Sequence, residues 1–206
     1  MTAEWRVRGI VRRTLPVLVA LTTLELVGGL ALDGFEATLL RYPTLLVLVP
    51  VTIGTAGNLG SVLAARLSTA FHLGTLRFAP TDERLVGNAL AVLGLSVTVF
   101  PAVGVGGWLV TTLTGDPRLP VGTVVAVAAT SGVVLGGVAI VVASVTTYVA
   151  YRAGLDPDEY VVPVVTNVCD VLGVVVLFAV VRVVVRPDRL SAPTDPRCRR
   201  DDLGSD

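Results

Sequence analysis

One aspartate stands in the middle of a valine-rich stretch: Asp170, eleven residues into the apolar segment 160–181. A carboxylate near a bilayer midplane costs roughly 2.5–3.5 kcal/mol on insertion scales, so it must face protein, water or an ion. Read as a helix, the segment puts Pro163, Thr166, Asn167 and Gly173 on the same face, at i−7, i−4, i−3 and i+3. Thr166 and Asn167 supply oxygens, and Gly173 bares backbone. Pro163 leaves the carbonyl of Glu159 without its helical donor. Together they make a hard, all-oxygen surface that suits a cation. The competing use is a protonated Asp170 hydrogen-bonded to a neighbouring helix.

A second polar stripe runs through Gly54-Thr55-Ala-Gly57-Asn58-Leu-Gly60-Ser61. Thr55, Asn58 and Ser61 recur at i, i+3 and i+6 with glycines between, so a backbone or a hydrated ion can come close. A helix–helix contact glued by Asn58 explains the same pattern; the second stripe beside Asp170 favours a pathway. Glu25, with Thr22 before it and Gly28-Gly29 after, is a weaker candidate that lines a vestibule or bonds an orphan polar group. Asp156-Pro157-Asp158-Glu159 has the form of a helix start. It serves equally as an acidic collar, formed by Asp156, Asp158 and Glu159, at the inner mouth of a cation pathway. His72, the only histidine, has no Cys or acid at ligand spacing and reads as interfacial. No nucleophile–base pair, HExxH or phosphate loop occurs, so an enzyme is not expected.

The elements that must carry these residues follow from composition. Of 206 residues, 53% are hydrophobic and 16% charged, with a mean hydropathy of +0.79. Soluble domains sit nearer 45–50% apolar and about 25% charged. A soluble enzyme, a disordered tail and a nucleic-acid binder are therefore excluded. Cys169 and Cys198 are too few for a disulfide framework. A bilayer-crossing helix needs roughly 20 mostly apolar residues, and five segments qualify: 14–32, 42–65, 85–110, 120–150 and 160–181. The fold expected is all-α and polytopic, with five transmembrane helices embedded in lipid.

A basic tail, 1–13, precedes the transmembrane domain at 14–186, and a polar tail at 187–206 reads as disordered. Arginines cluster before the first span (Arg6, Arg8, Arg12, Arg13) and between the second and third (Arg66, Arg77, Arg84). The alternate loops hold Arg41 and Arg118 beside acids. The positive-inside rule then places this multi-pass protein in the cell membrane with a cytoplasmic N-terminus and an extracytoplasmic C-terminus. Arg182, Arg186 and Arg189 disagree mildly. The glycine patches Gly104-Val-Gly106-Gly107 and Gly132-Val-Val-Leu-Gly136-Gly137 are expected to serve close helix packing.

Oxygen ligands without His or thiolate suit hard cations, and Mg²⁺ is typically held through one or two carboxylates with several waters retained. One Asp170 per chain is thin for a divalent ion. Two chains about a twofold axis would bring two carboxylates together, so a homodimer, or pairing with a second half-transporter, answers the charge.

The stretch Pro50-Val-Thr-Ile-Gly54-Thr-Ala-Gly57-Asn58-Leu-Gly60, continuing to Ala65-Arg66-Leu67-Ser68-Thr69-Ala70, resembles the transmembrane domain of MgtE-type magnesium channels. It is especially similar to the related eukaryotic solute-carrier magnesium transporters. Leu155-Asp156-Pro157-Asp158, then Pro163, Asn167, Asp170 and Gly173, looks like the second signature of that family. The resemblance implies a five-helix domain acting as a pair, with Mg²⁺ as the transported ion and not a cofactor. It implies Asp170 as the ion-binding carboxylate, and Gly57 and Asn58 as pore lining. Backbone oxygens at Thr166 and Gly173 would complete a hydrated-ion site. Bacterial members also carry a cytosolic N-terminal domain and a CBS-domain Mg²⁺ sensor, for which the 13 residues ahead of the first span have no room. The function expected is a divalent-cation channel or transporter best suited to Mg²⁺, its pathway at a dimer axis lined by the second and fifth spans. Asn58, Asn167 and Thr166 would hold the ion's waters, and Thr55, Gly57, Ser61 and Pro163 would line the pore. The alternatives are an H⁺- or Na⁺-coupled cation carrier and a non-transporting membrane scaffold subunit.

Overall fold

The computed structural model describes residues 7–76, 81–115 and 117–185. Within them, the chain forms α1 (Val7–Asp33), a short α2 (Glu36–Arg41), α3 (Pro43–His72), α4 (Glu83–Thr114), α5 (Val121–Ala153) and α6 (Pro157–Val184). Five of these are long and apolar enough to cross a membrane: Thr14–Asp33 within α1, all of α3, α4 and α5, and Tyr160–Val184 within α6. The fold is all-α and polytopic, as the apolar runs predict. At about 1.5 Å per residue, the 33 residues of α5 exceed a hydrocarbon core of about 30 Å.

The helices outrun the apolar segments because polar turns extend them without breaking the backbone ladder. Helix α3 continues seven residues past Ala65 to His72, and α1 begins at Val7, inside the stretch expected as a tail. Residues 1–6 and the expected tail at 187–206 lie outside the described residues. So do Arg77 in the loop after α3 and the side chains of Asp158 and Glu159 in the acidic collar. The six-residue α2 has no apolar run to announce it; it docks through Phe35, whose ring stacks on Phe178 of α6 at 4.0 Å.

Helix ends carry local signals. At Gly74 (φ 64°) and Gly154 (φ 65°) the chain turns left-handed, and the amides of Thr75 and Leu155 bond back to Ala70 O and Ala150 O. Residues with a Cβ enter that region reluctantly, so glycine ends α3 and α5 there. Asp82 caps α4, its Oδ1 accepting from the Arg84 and Leu85 amides at 2.9 and 3.3 Å.

Helices α3, α5 and α6 pack on one another, α4 covers α5 and α3, and α1 leans on α6. One apolar cluster joins Leu45, Leu48, Val124, Val127, Leu177 and Phe178 near the α2 end. A second joins Leu63, Leu67, Ala139, Ala143, Val165 and Cys169 toward the opposite end. Asp170 falls in sequence between Cys169 of one cluster and Val174 of the other. Four of the six patch glycines, Gly104, Gly107, Gly132 and Gly136, meet the close packing expected of them. A Cβ on Gly104 would lie 2.9 Å from Val125 Cα, and one on Gly132 would run into Phe100, whereas Gly106 and Gly137 face open space.

Candidate cation-binding site

Helices α3 and α6 bring the two polar stripes together. Gly57 is buried where the helices touch, and a Cβ built on it would sit 2.9 Å from Asp170 Oδ1. The same position is 3.2 Å from Thr166 Cγ2 and 3.6 Å from the Thr166 carbonyl. The glycine is needed because the carboxylate occupies the volume that any other side chain would fill. One turn along, Gly60 does the same for Val165 and Cys169.

Asp170 is half-buried, yet its Oδ1 is fully shielded and has no hydrogen-bond partner in the protomer. A buried oxygen left unpaired is unfavourable by several kcal/mol in an apolar medium, about 1–3 kcal/mol by protein mutational measures. Its neighbours do not relieve it, being occupied locally. Thr166 Oγ1 donates to Val162 O at 3.0 Å, and Asn167 Nδ2 donates to Pro163 O at 2.9 Å. Those bonds leave acceptor lone pairs on the Thr166 hydroxyl and the Asn167 amide oxygen for a cation or its waters.

On α3 the stripe divides. Gly57 and Gly60 face α6, while Gly54 has nothing within 4 Å and Asn58 is exposed on the surface of the protomer. Thr55 and Ser61 are half-buried, and Ser61 Oγ donates to Asn58 O at 3.0 Å. Pro50, Gly54 and Asn58 recur at i, i+4 and i+8 and are all exposed, a small and polar strip at membrane depth beside the Asp170 cleft.

The other expected residues occupy different settings. Gly173 is buried, and a Cβ built on it would lie 3.1 Å from Ile53 Cγ1, so it serves the α3–α6 contact. Pro163 is half-buried on α6. Glu25 is exposed on α1 and close enough to act electrostatically on Asp170, and Gly28, one turn on, packs against Val171. Asp156 is exposed just ahead of the N-terminus of α6, about four turns from Asp170. Sequence reasoning missed Cys169 and Val165 as the floor on which Gly60 rests, because a buried apolar face shows no polar signal.

The arrangement is a carboxylate with an unpaired buried oxygen against Gly57 of α3, with the Thr166 hydroxyl and the Asn167 amide on the same helix. The model of the MgtE family, described as a divalent cation transporter, matches residues 49–180. The match runs from Val49 of α3 through α4 and α5 to the last turns of α6, taking in both stripes.

Proposed function

Because this chain belongs to the MgtE family of divalent cation transporters, we propose that it moves Mg²⁺ across the membrane, with Asp170 as the ion-binding carboxylate. The unpaired, buried Oδ1 of Asp170 beside Gly57 carries this reading. An oxygen so placed gains most from a hydrated cation, which replaces the missing hydrogen bonds and balances the charge. Asn58, Asn167 and Thr166 hold the ion's waters. Thr55, Gly57, Ser61 and Pro163 line the approach.

The working unit in this proposal is a homodimer. Asn58 is exposed at membrane depth, where lipid offers its amide no hydrogen bond. A second copy facing the Pro50–Gly54–Asn58 strip would cover it and bring a second Asp170 to the axis, giving two negative charges against a divalent ion. Softer metals gain little here, since the cleft presents oxygens.

The test is Mg²⁺ flux into dye-loaded liposomes. Wild-type protein is expected to carry flux, and Asp170→Asn to lose it while still inserting and pairing. Undiminished uptake in Asp170→Asn would refute the assignment.

A further inference from the structure

Where α3 stops and α4 starts, the two helices leave a hollow of about 300 Å³ between them. Arg66, Thr69, Ala70 and Leu73 line it from the α3 side, Arg84 and Asn88 from α4. Arg66 stands in the last two turns of α3 and Arg84 in the first turn of α4, so two helices each bring one guanidinium to the same place. Among the described residues no Asp or Glu lines the hollow, and neither arginine pairs with an acid. The acids nearest in sequence do not change this. Asp82 Oδ1 accepts from the amides of Arg84 and Leu85, and Glu83 lies about 100° round α4 from Arg84.

The chemistry of the hollow is that of an anion receptor. Both arginines are exposed, and each guanidinium presents a planar fork of N–H donors that matches phosphate oxygens. Asn88 Nδ2 donates one hydrogen to Arg84 O at 2.8 Å and keeps a second. Thr69 Oγ1 donates to Ala65 O at 3.0 Å and keeps lone pairs for a head-group hydroxyl. What lies beside the hollow separates a lipid from a soluble anion. Val62, one turn before Arg66 on the same face of α3, is 57% exposed, and Leu95, on the α4 face shared with Arg84 and Asn88, is 47% exposed. Both lie toward the middle of membrane-crossing helices. A soluble phosphate would meet the charged end alone, whereas a phospholipid meets both. The positive-inside rule expects this end in the cytoplasm, where membranes carry anionic lipid and basic pockets between spans hold head groups.

We propose that the hollow binds one anionic phospholipid, its phosphate held between Arg66 and Arg84 and its acyl chains lying along Val62 and Leu95. A head group held by both guanidiniums ties the end of α3 to the start of α4 across the loop that joins them. The site is separate from the Asp170 cleft, since Arg66 is nine residues along α3 from Gly57, about two and a half turns.

The test is native mass spectrometry of the full chain in neutral detergent, titrated with phosphatidylglycerol or with zwitterionic phosphatidylcholine. One tightly bound phosphatidylglycerol per protomer is expected in wild type. Arg66→Gln and Arg84→Gln are each expected to weaken it about fivefold, the contribution of one arginine at an anionic surface. The double variant is expected to lose the preference over phosphatidylcholine. Arg12→Gln, an exposed arginine of α1 outside the hollow, and Asp170→Asn are expected to bind as wild type does. Equal affinity of wild type for the two lipids would overturn the site, as would an unchanged Kd in the double variant. A loss in Arg12→Gln as large as that in Arg66→Gln would show diffuse charge attraction and overturn it equally. Full displacement of the lipid by millimolar inorganic phosphate would assign the hollow to a soluble anion instead. Should the double variant fail to fold, the single variants decide: unchanged affinity in both refutes the site.

Discussion

At the scale of single residues, Gly57 and Gly54 do different work despite lying one turn apart. A Cβ at 57 meets Asp170 Oδ1 at 2.9 Å and Thr166 Cγ2 at 3.2 Å, closer than real Cβ atoms approach in the first case. Gly57→Ala is therefore expected to push the carboxylate out of position and sharply reduce Mg²⁺ flux in the liposome assay. A Cβ at 54 meets nothing within 4 Å of its own protomer. Gly54→Ala should leave thermal unfolding of the detergent-solubilised protein unchanged, within about 0.5 kcal/mol. A loss of flux in that variant would then report a partner or ion that approaches the strip from outside. The sequence announces both glycines equally. Which of them packs depends on how α3 is rotated against α6, and one chain's residue pattern does not contain that angle. Asp170 was legible because a carboxylate in a valine-rich run has few acceptable uses. Gly173 was legible only as a small residue, and its contact with Ile53 was not.

Between elements, small residues and hydroxyls set the helix spacing. Gly132 of α5 lies so close to Phe100 of α4 that an added methyl would clash with the ring. Gly132→Ala is expected to destabilise the bundle by about 1–3 kcal/mol, the usual result of overpacking, measured by thermal or denaturant unfolding in detergent. Gly137→Ala, facing open space, is the matched control. Helices α3 and α4 also share a buried hydrogen bond between Thr44 Oγ1 and Thr111 Oγ1 at 3.1 Å. Thr111 Oγ1 also lies within 3.0 Å of the carbonyls of Gly107 and Trp108, so the hydroxyl pair sits in a small local network. A double-mutant cycle with Thr44→Val and Thr111→Val should give a coupling of about 0.6 kcal/mol, typical of interhelical hydrogen bonds in membranes. Five long helices were readable from apolar runs because lipid demands them. Their ends were less so, since Arg66 ends an apolar run without ending a helix, and α2 is too short and mixed to leave a periodic signal.

For the whole molecule, arginines stand at both ends of the bundle. Arg66 and Arg84 line one hollow at the end where α3 stops and α4 starts. At the opposite end Arg118 Nη1 donates to Arg41 O at 3.0 Å. Pairing of two copies is the proposal that needs a geometric test. In a background with Cys169 and Cys198 replaced, Asn58→Cys is expected to cross-link to itself in liposomes with a short thiol-specific reagent. Val141→Cys on α5, 61% exposed, is expected not to. Cross-linking at 141 with none at 58 would move the interface to another face.

The lean of α1 on α6 carries a consequence for synthesis. The helix made first finds its main packing partner in the one made last, and Leu26, Leu30 and Glu25 on it stay exposed. More than a hundred residues separate Asp33 from Pro157. At translation rates of about 5–20 residues per second, α1 waits on the order of ten seconds before α6 exists. During that interval it is a span without its docking partner, held by its own hydrogen bonds, with Glu25 near mid-length. A chain stopped after α5 would leave α1 unmoored, so an undocked α1 marks a chain in which the helix that carries Asp170 has not been made.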